Sequence, residues 1–155
     1  MNETTITTQP GTPFIEVVRE FEAPRERVFR AWTDPALVPQ WLGPRRLTMK
    51  LLAYDASPGG SYRYIHSDER GEYGFRGVFH NVVRDELIIQ TFEYDGAPNQ
   101  VSLDTTTFED LGGGRTRVHG HSVYLSVEHR DAMITSGMEQ GLRESMQRLD
   151  EVLAR

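Results

Sequence analysis

Apolar and polar residues alternate from Phe14 to Glu22, where Ile15, Val17 and Phe21 keep period two, so the segment reads as a strand with one buried face. Ala23-Pro24 opens a helix, because proline suits the first helical turn, and Val28, Phe29 and Trp32 share one face of it. Thr33-Asp34-Pro35 ends that helix, and Asp34 can cap a second short helix ending near Trp41-Leu42-Gly43-Pro44. Six strand-like segments follow, over 47–54, 62–67, 73–83, 86–94, 100–109 and 115–125. Turn signals at Ser57-Pro58-Gly59-Gly60, from Asp68 to Gly71 and at Gly112-Gly113-Gly114, with strands about ten residues apart, predict an antiparallel meander. From Glu128 to Leu153 the period becomes helical, with Ile134, Met138, Leu142, Leu149 and Val152 on one stripe. That stripe needs an apolar partner, and the sheet is the only large one. The expected fold class is therefore α+β: a curved antiparallel sheet of about seven strands, two short helices after the first strand, and one long C-terminal helix.

Composition narrows the function. The 155 residues make one expected domain over 14–155, preceded by a loose tail over 1–13 rich in Thr, Pro and Gly. With no cysteine, disulfides, thiolate zinc sites and cysteine nucleophiles are excluded. A net charge of −6 makes a poor general partner for nucleic acid, whose phosphates favour a basic face. No apolar run exceeds four residues (Leu51 to Tyr54), so no membrane span is expected. The polar start of the chain does not read as a signal peptide, and a cytoplasmic location is the expectation. Lys50 is the only lysine beside sixteen arginines, a usage read as codon bias in a GC-rich, bacterial genome, and no glycine-rich phosphate loop precedes it.

Two glycines sit inside the predicted long helix, Gly137 and Gly141, at i and i+4. Each costs roughly 1 kcal/mol against alanine. Either they leave room for a ligand over the helix, or they allow a strand or small helix to come close.

The run Phe21-x-Ala23-Pro24-x-x-x-Val28-Phe29-x-Ala31-Trp32-Thr33-Asp34-Pro35-x-Leu37-x-x-x-Trp41 resembles the opening of the START-like (SRPBCC) proteins, and among them the activator of Hsp90 ATPase homologue family. Further similarities follow in order: Asp55-x-x-Pro58-Gly59-Gly60-x-Tyr62, Gly77-Val78, Asp85-Glu86-Leu87, Thr116-x-Val118, and Gly137-Met138-x-x-Gly141-x-x-x-Ser145-x-x-x-Leu149. They span residues 14 to 153. The resemblance implies a helix-grip fold with a cavity under the long helix, where many members bind apolar small molecules. Where the family pattern usually has an apolar residue, this chain has His66. Cochaperones of that type carry a separate chaperone-binding domain, which the resemblance does not reach here.

Candidate cavity residues follow from strand parity. Tyr62, Tyr64 and His66 share one face. Facing the cavity, they offer two phenols and an imidazole to a ligand; otherwise they form an ordinary sheet face with His66 satisfied by a neighbour. Trp41, Phe79, Phe92, Phe108, Met133 and Met138 are the apolar wall candidates, with Gly137 and Gly141 on the helix. Asp104 shares parity with Phe108 and would be an acid or base if it faced inward, but a strand end turned to solvent by a one-residue slip is the favoured reading. His119 and His121 share a face that should point to solvent, with no third ligand evident, so no metal site is expected. No catalytic signature such as G-x-S-x-G, H-E-x-x-H or G-x-G-x-x-G occurs. The expected function is binding of a small apolar or aromatic molecule, lipid-like or polyketide-like, without a cofactor. A cyclase or hydratase using His66 or Asp104 is the alternative, and regulation of a chaperone ATPase ranks last. A homodimer is left open.

Overall fold

The alternating segments assemble into one antiparallel sheet, seen in a computed structural model that describes residues 2–155. In chain order the elements are β1 (Thr5–Thr7), β2 (Phe14–Phe21), α1 (Arg25–Thr33), a 3-10 turn (Val38–Gln40), β3 (Thr48–Tyr54), β4 (Ser61–Asp68), β5 (Gly71–Val83), β6 (Leu87–Tyr94), β7 (Ser102–Gly112), β8 (Arg115–Val123), α2 (Val127–Thr135) and α3 (Met138–Leu153). The eight strands lie in the order β1-β2-β8-β7-β6-β5-β4-β3. From β3 to β8 each strand pairs with the next in sequence, while β2 closes the sheet against β8. Register shifts at Leu51/Ala53, Phe79/Asn81 and Asp110/Gly112 add local twist and bend the sheet around its inner face.

Three expectations are corrected. The segment read as a loose tail holds an eighth strand: Thr5–Thr7 pairs with Glu16–Val18 along the edge of the sheet. It escaped the pattern because three residues are too few to show alternation. The second short helix is only the 3-10 turn Val38–Gln40; Asp34 does turn the chain there, its Oδ1 accepting the Ala36 N–H at 2.8 Å. The single long helix is two. Gly137 takes φ +86°, a left-handed conformation, between α2 and α3. Its own N–H reaches the Ile134 carbonyl, and Ser136 Oγ donates to the Met133 carbonyl at 2.6 Å, closing α2. Ile134 and Met138 stay four apart across this break, so the hydrophobic spacing does not register it.

The inner face of the sheet is shared between two covers. α1 lays Phe29 and Trp32 edge-on against Phe108, at ring-centroid distances of 5.2 and 5.4 Å. With Phe21, Val28, Phe79 and Leu149, each wholly buried, this forms the solid core. α3 comes closest along its backbone to α1, α2 and the 3-10 turn, while Met146, Leu149 and Val152 reach down into the core shared with the sheet. Polar bonds hold it by its flanks: Arg19 on β2 to Asp150, the Gly43 N–H to Ser145 Oγ, Arg148 to the Gly43 carbonyl, and Arg143 to the Thr4 carbonyl.

The two helix glycines have different physical roles, and substitution separates them. Gly137→Ala forces a Cβ into the left-handed region and is expected to destabilise by about 1 kcal/mol. At Gly141 an added Cβ would meet only Pro44, at an ordinary 3.7 Å, so Gly141→Ala is expected to gain up to about 1 kcal/mol of helix propensity. Denaturant unfolding of both variants checks the opposite signs.

Candidate functional site

Because α3 stands off the sheet, a cavity of about 450 Å³ remains between them. Its sheet wall is built by inward-facing residues of seven strands, β2 giving Ile15, Val17 and Arg19 and β3 giving Tyr54. Tyr62, Tyr64 and His66 come from β4, Phe75 from β5, Gln90 and Phe92 from β6. Asp104 and Thr106 from β7, with Val118, Gly120 and Ser122 from β8, complete it. The rings of Tyr64, Phe75 and Phe92 stack in series at 5.2 and 5.4 Å, a continuous aromatic strip across the middle of the wall. Above them α2 contributes Met133, and α3 contributes Met138, Leu142 and Met146. Trp41 closes one side, its Nε1–H donating to the Ala31 carbonyl at 2.9 Å. Val17, Phe75, Phe92, Met133, Met138 and Leu142 are only half-buried although they line the interior, so the cavity surface is largely bare hydrocarbon.

Two glycines shape the wall. Gly77, opposite Tyr62 on β5, lets the Tyr62 ring lie over the backbone, where a Cβ would fall 2.5 Å from Cε1. The Tyr62 hydroxyl then donates to the Thr91 carbonyl at 2.6 Å. Gly120 does the reverse: an added Cβ would meet only Val17 at 3.9 Å, so the space above it belongs to the cavity.

The polar groups gather at the two ends. Asp104 lines the cavity on β7, against the favoured expectation of a solvent-facing strand end. The register is not slipped: Asp104 pairs with Gln90 and Ser122, and Phe108 four residues on is buried on the same side. Ser102 Oγ donates to Asp104 Oδ1 at 3.1 Å, and Ser122 is the second hydroxyl partner. Burial away from water pushes the Asp104 carboxyl up from the ordinary 3.8 to about 6, with the two serines opposing. Burial also raises the phenols of Tyr62, Tyr64 and Tyr124, and the Asp104 charge adds to each. His66 lies three strands away, roughly 14 Å at the usual strand spacing. Its ring packs on Gly43, where a Cβ would come within 2.6 Å, and its Nε2 is buried without a partner among the described residues. Burial, with Arg148 and Arg46 nearby, lowers its pKa and keeps the imidazole neutral, against a contact with the Leu42 backbone.

Nine of the eleven candidate residues line this one cavity: Trp41, Tyr62, Tyr64, His66, Phe92, Met133, Gly137, Met138 and Gly141. Phe79 and Phe108 do not. Phe79 is wholly buried beside Tyr54, 5.4 Å between rings, near the bulge at the end of β5. Phe108 is spent on Phe29 and Trp32 under α1. Both have inward parity, but parity cannot tell which cover lies above. Sequence reasoning missed Phe75, Gln90 and Tyr124 among others; Phe75 has the same parity as Gly77 and could have been found that way. His119 and His121 both reach Glu16 Oε1, each at 3.2 Å; His119 lies outside the cavity, while His121 borders it.

Asp104 sets a stability signature. The folded protein holds its proton to higher pH than the unfolded chain does, so its contribution is fully favourable below pH 3.8 and is lost as pH rises through about 6. Displacement over that range corresponds to about 3 kcal/mol. Asp104→Asn is therefore expected to stabilise the protein by about 2 kcal/mol near pH 8, with the gain shrinking towards pH 4. Urea unfolding at both pH values checks it; an equal effect at both would contradict it.

Comparison with known proteins adds the lineage. The pattern of the family described as Activator of Hsp90 ATPase homolog 1-like protein matches residues 22–154. A crystal structure of a protein from Rhodobacter sphaeroides is similar at 29% identity and a TM-score of 0.88, covering 98% of this chain and 99% of that one. A protein from Chromobacterium violaceum is similar at 27% identity and a TM-score of 0.79, covering 92% and 98%. The AHSA1 protein from Silicibacter pomeroyi shares the fold at 22% identity and a TM-score of 0.75, covering 91% and 97%. No curated protein matches the chain. On a family pattern that runs from the end of β2 through α3, the chain belongs to the Activator of Hsp90 ATPase homolog 1-like protein family.

Proposed function

We propose that this protein binds a small molecule with an apolar or aromatic body, lipid-like or polyketide-like, in the cavity between the sheet and α3. The observation that carries this reading is the cavity of about 450 Å³ with its aromatic strip and methionine roof. That volume falls within the roughly 300–1,000 Å³ of small-molecule sites, which pair apolar walls with few polar groups. Burying a ligand against such walls contributes about 25 cal/mol per Å² of apolar surface. Methionines at 133, 138 and 146 suit a ligand of irregular shape.

Cyclase or hydratase chemistry is a second reading, favoured by one observation: Asp104 is a cavity carboxylate whose pKa of about 6 suits proton transfer near neutral pH. His66 cannot act with it from three strands away. A chaperone-directed role has no feature of the cavity behind it. The binding reading is therefore the primary one.

Native mass spectrometry of gently purified protein, before and after solvent extraction, tests it. A discrete excess mass that extraction removes is the expected result. Gly120→Leu, whose side chain would occupy the cavity from a regular strand position, is expected to carry at least about tenfold less of that mass while remaining folded, since a side chain there enters open space. Undiminished loading of Gly120→Leu would place the ligand elsewhere.

A further inference from the structure

The ligand's polar end can be read from the charges on the cavity wall. Three ionic side chains line it: Arg19, Arg46 and Asp104. Arg19 is 2% exposed and makes a two-pronged pair with Asp150 at 2.6 and 3.2 Å. Arg46 pairs with Asp68 at 3.1 Å. Both charges are therefore already paired, although Arg19 Nε is buried without a hydrogen-bond partner among the described residues. Asp104 is not paired: its polar partners are the neutral hydroxyls of Ser102 and Ser122, and no ion pair reaches it among the described residues. A carboxylate has about four acceptor positions, so two hydroxyls leave lone pairs free towards the cavity. Among the other titratable groups of the wall, the phenols Tyr62, Tyr64 and Tyr124 are held neutral, and the His121 ring is engaged with Glu16 at 3.2 Å.

We propose that the Asp104 end of the cavity receives a protonated amine, and that the ligand is a cationic amphiphile whose ammonium bonds Asp104 while its apolar or aromatic body lies along Tyr64, Phe75 and Phe92. This rests on the cavity being a ligand site. An ammonium supplies what the wall lacks: a positive charge with several N–H donors for an acceptor-only group. A neutral alcohol of the same shape would fill the cavity but leave the charge uncompensated, and a carboxylate would add a second negative charge to it. The strip from Phe92 to Tyr64 sets the direction of the body, away from β7 towards His66, whose neutral imidazole presents no competing charge.

The test uses three probes of nearly one shape: naphthylethylamine, naphthylethanol and naphthylacetate. Calorimetric titration of the wild-type protein at about pH 7.5 is expected to give the amine at least about tenfold tighter than the alcohol, with the acid weakest. In Asp104→Asn the alcohol is expected to bind as in wild type, which shows a folded, open cavity, while the amine falls to within about twofold of it. Gly120→Leu is expected to lose both. An alcohol or acid that binds the wild type as tightly as the amine overturns the proposal and leaves the cavity reading standing. So does an amine preference that survives Asp104→Asn. If none of the three binds the wild type, the cavity reading falls and this proposal with it.

Discussion

Arg19 projects from β2 into a position where it is 2% exposed, and there it grips Asp150 of α3 with two nitrogens. Asp150 itself is 36% exposed, so the pair is half-buried, and loss of Asp150 would leave the buried Arg19 charge without its compensation. In a domain held together by about 5–15 kcal/mol, an uncompensated buried charge is a substantial loss. The strap works with those at Gly43, Arg148 and Arg143 to fix α3 by its edges. A helix held only by apolar contact would settle onto the sheet until no void remained, since close packing is what the hydrophobic effect rewards. Polar bonds of fixed length resist that descent. The empty volume beneath α3 is thus a product of directional bonding at its margins.

Asp104 runs against the folding interest of the chain. A carboxylate in that position is less favourable than an amide or an apolar residue at neutral pH, because burial opposes its charge and only two hydroxyls answer. The surrounding wall is ordinary in comparison: rings stacked on rings, and methionines above. A position that breaks the rule its neighbours obey, inside a cavity, is where chemistry with a ligand is expected to sit. The binding and proton-transfer readings draw on this same residue, and they differ in whether its charge is used to hold or to react.

Period two was enough to read the sheet from the sequence, because one face of every central strand is buried. Tyr62, Tyr64 and His66 emerged together for that reason, and they do share the cavity wall. Parity could not separate Phe92, under α3, from Phe108, under α1, because the two helices cover different halves of one face. Asp104 was legible in parity but was read outward, since a charged residue in a strand usually faces water and the cavity that accepts it is a tertiary feature. The α2–α3 break was hidden for a local reason: one left-handed glycine interrupts the helix without disturbing the four-residue spacing of Ile134 and Met138. β1 was too short to carry any pattern.

The place of β2 in the sheet has a kinetic consequence. From β3 to β8 the strands pair as neighbours in sequence and can zip by local hairpins. β2, made early, has its main partner in β8, about a hundred residues later, and waits unpaired on that side until β8 is synthesised. Closing so long a loop is an entropic cost met only once the pairing forms, which makes it a slow, late event. α3 follows β8 in the chain, and the Arg19–Asp150 strap can form only after both are in place. The cavity therefore takes shape only once α3 has followed β8 out of the ribosome, later than any of the strands that wall it.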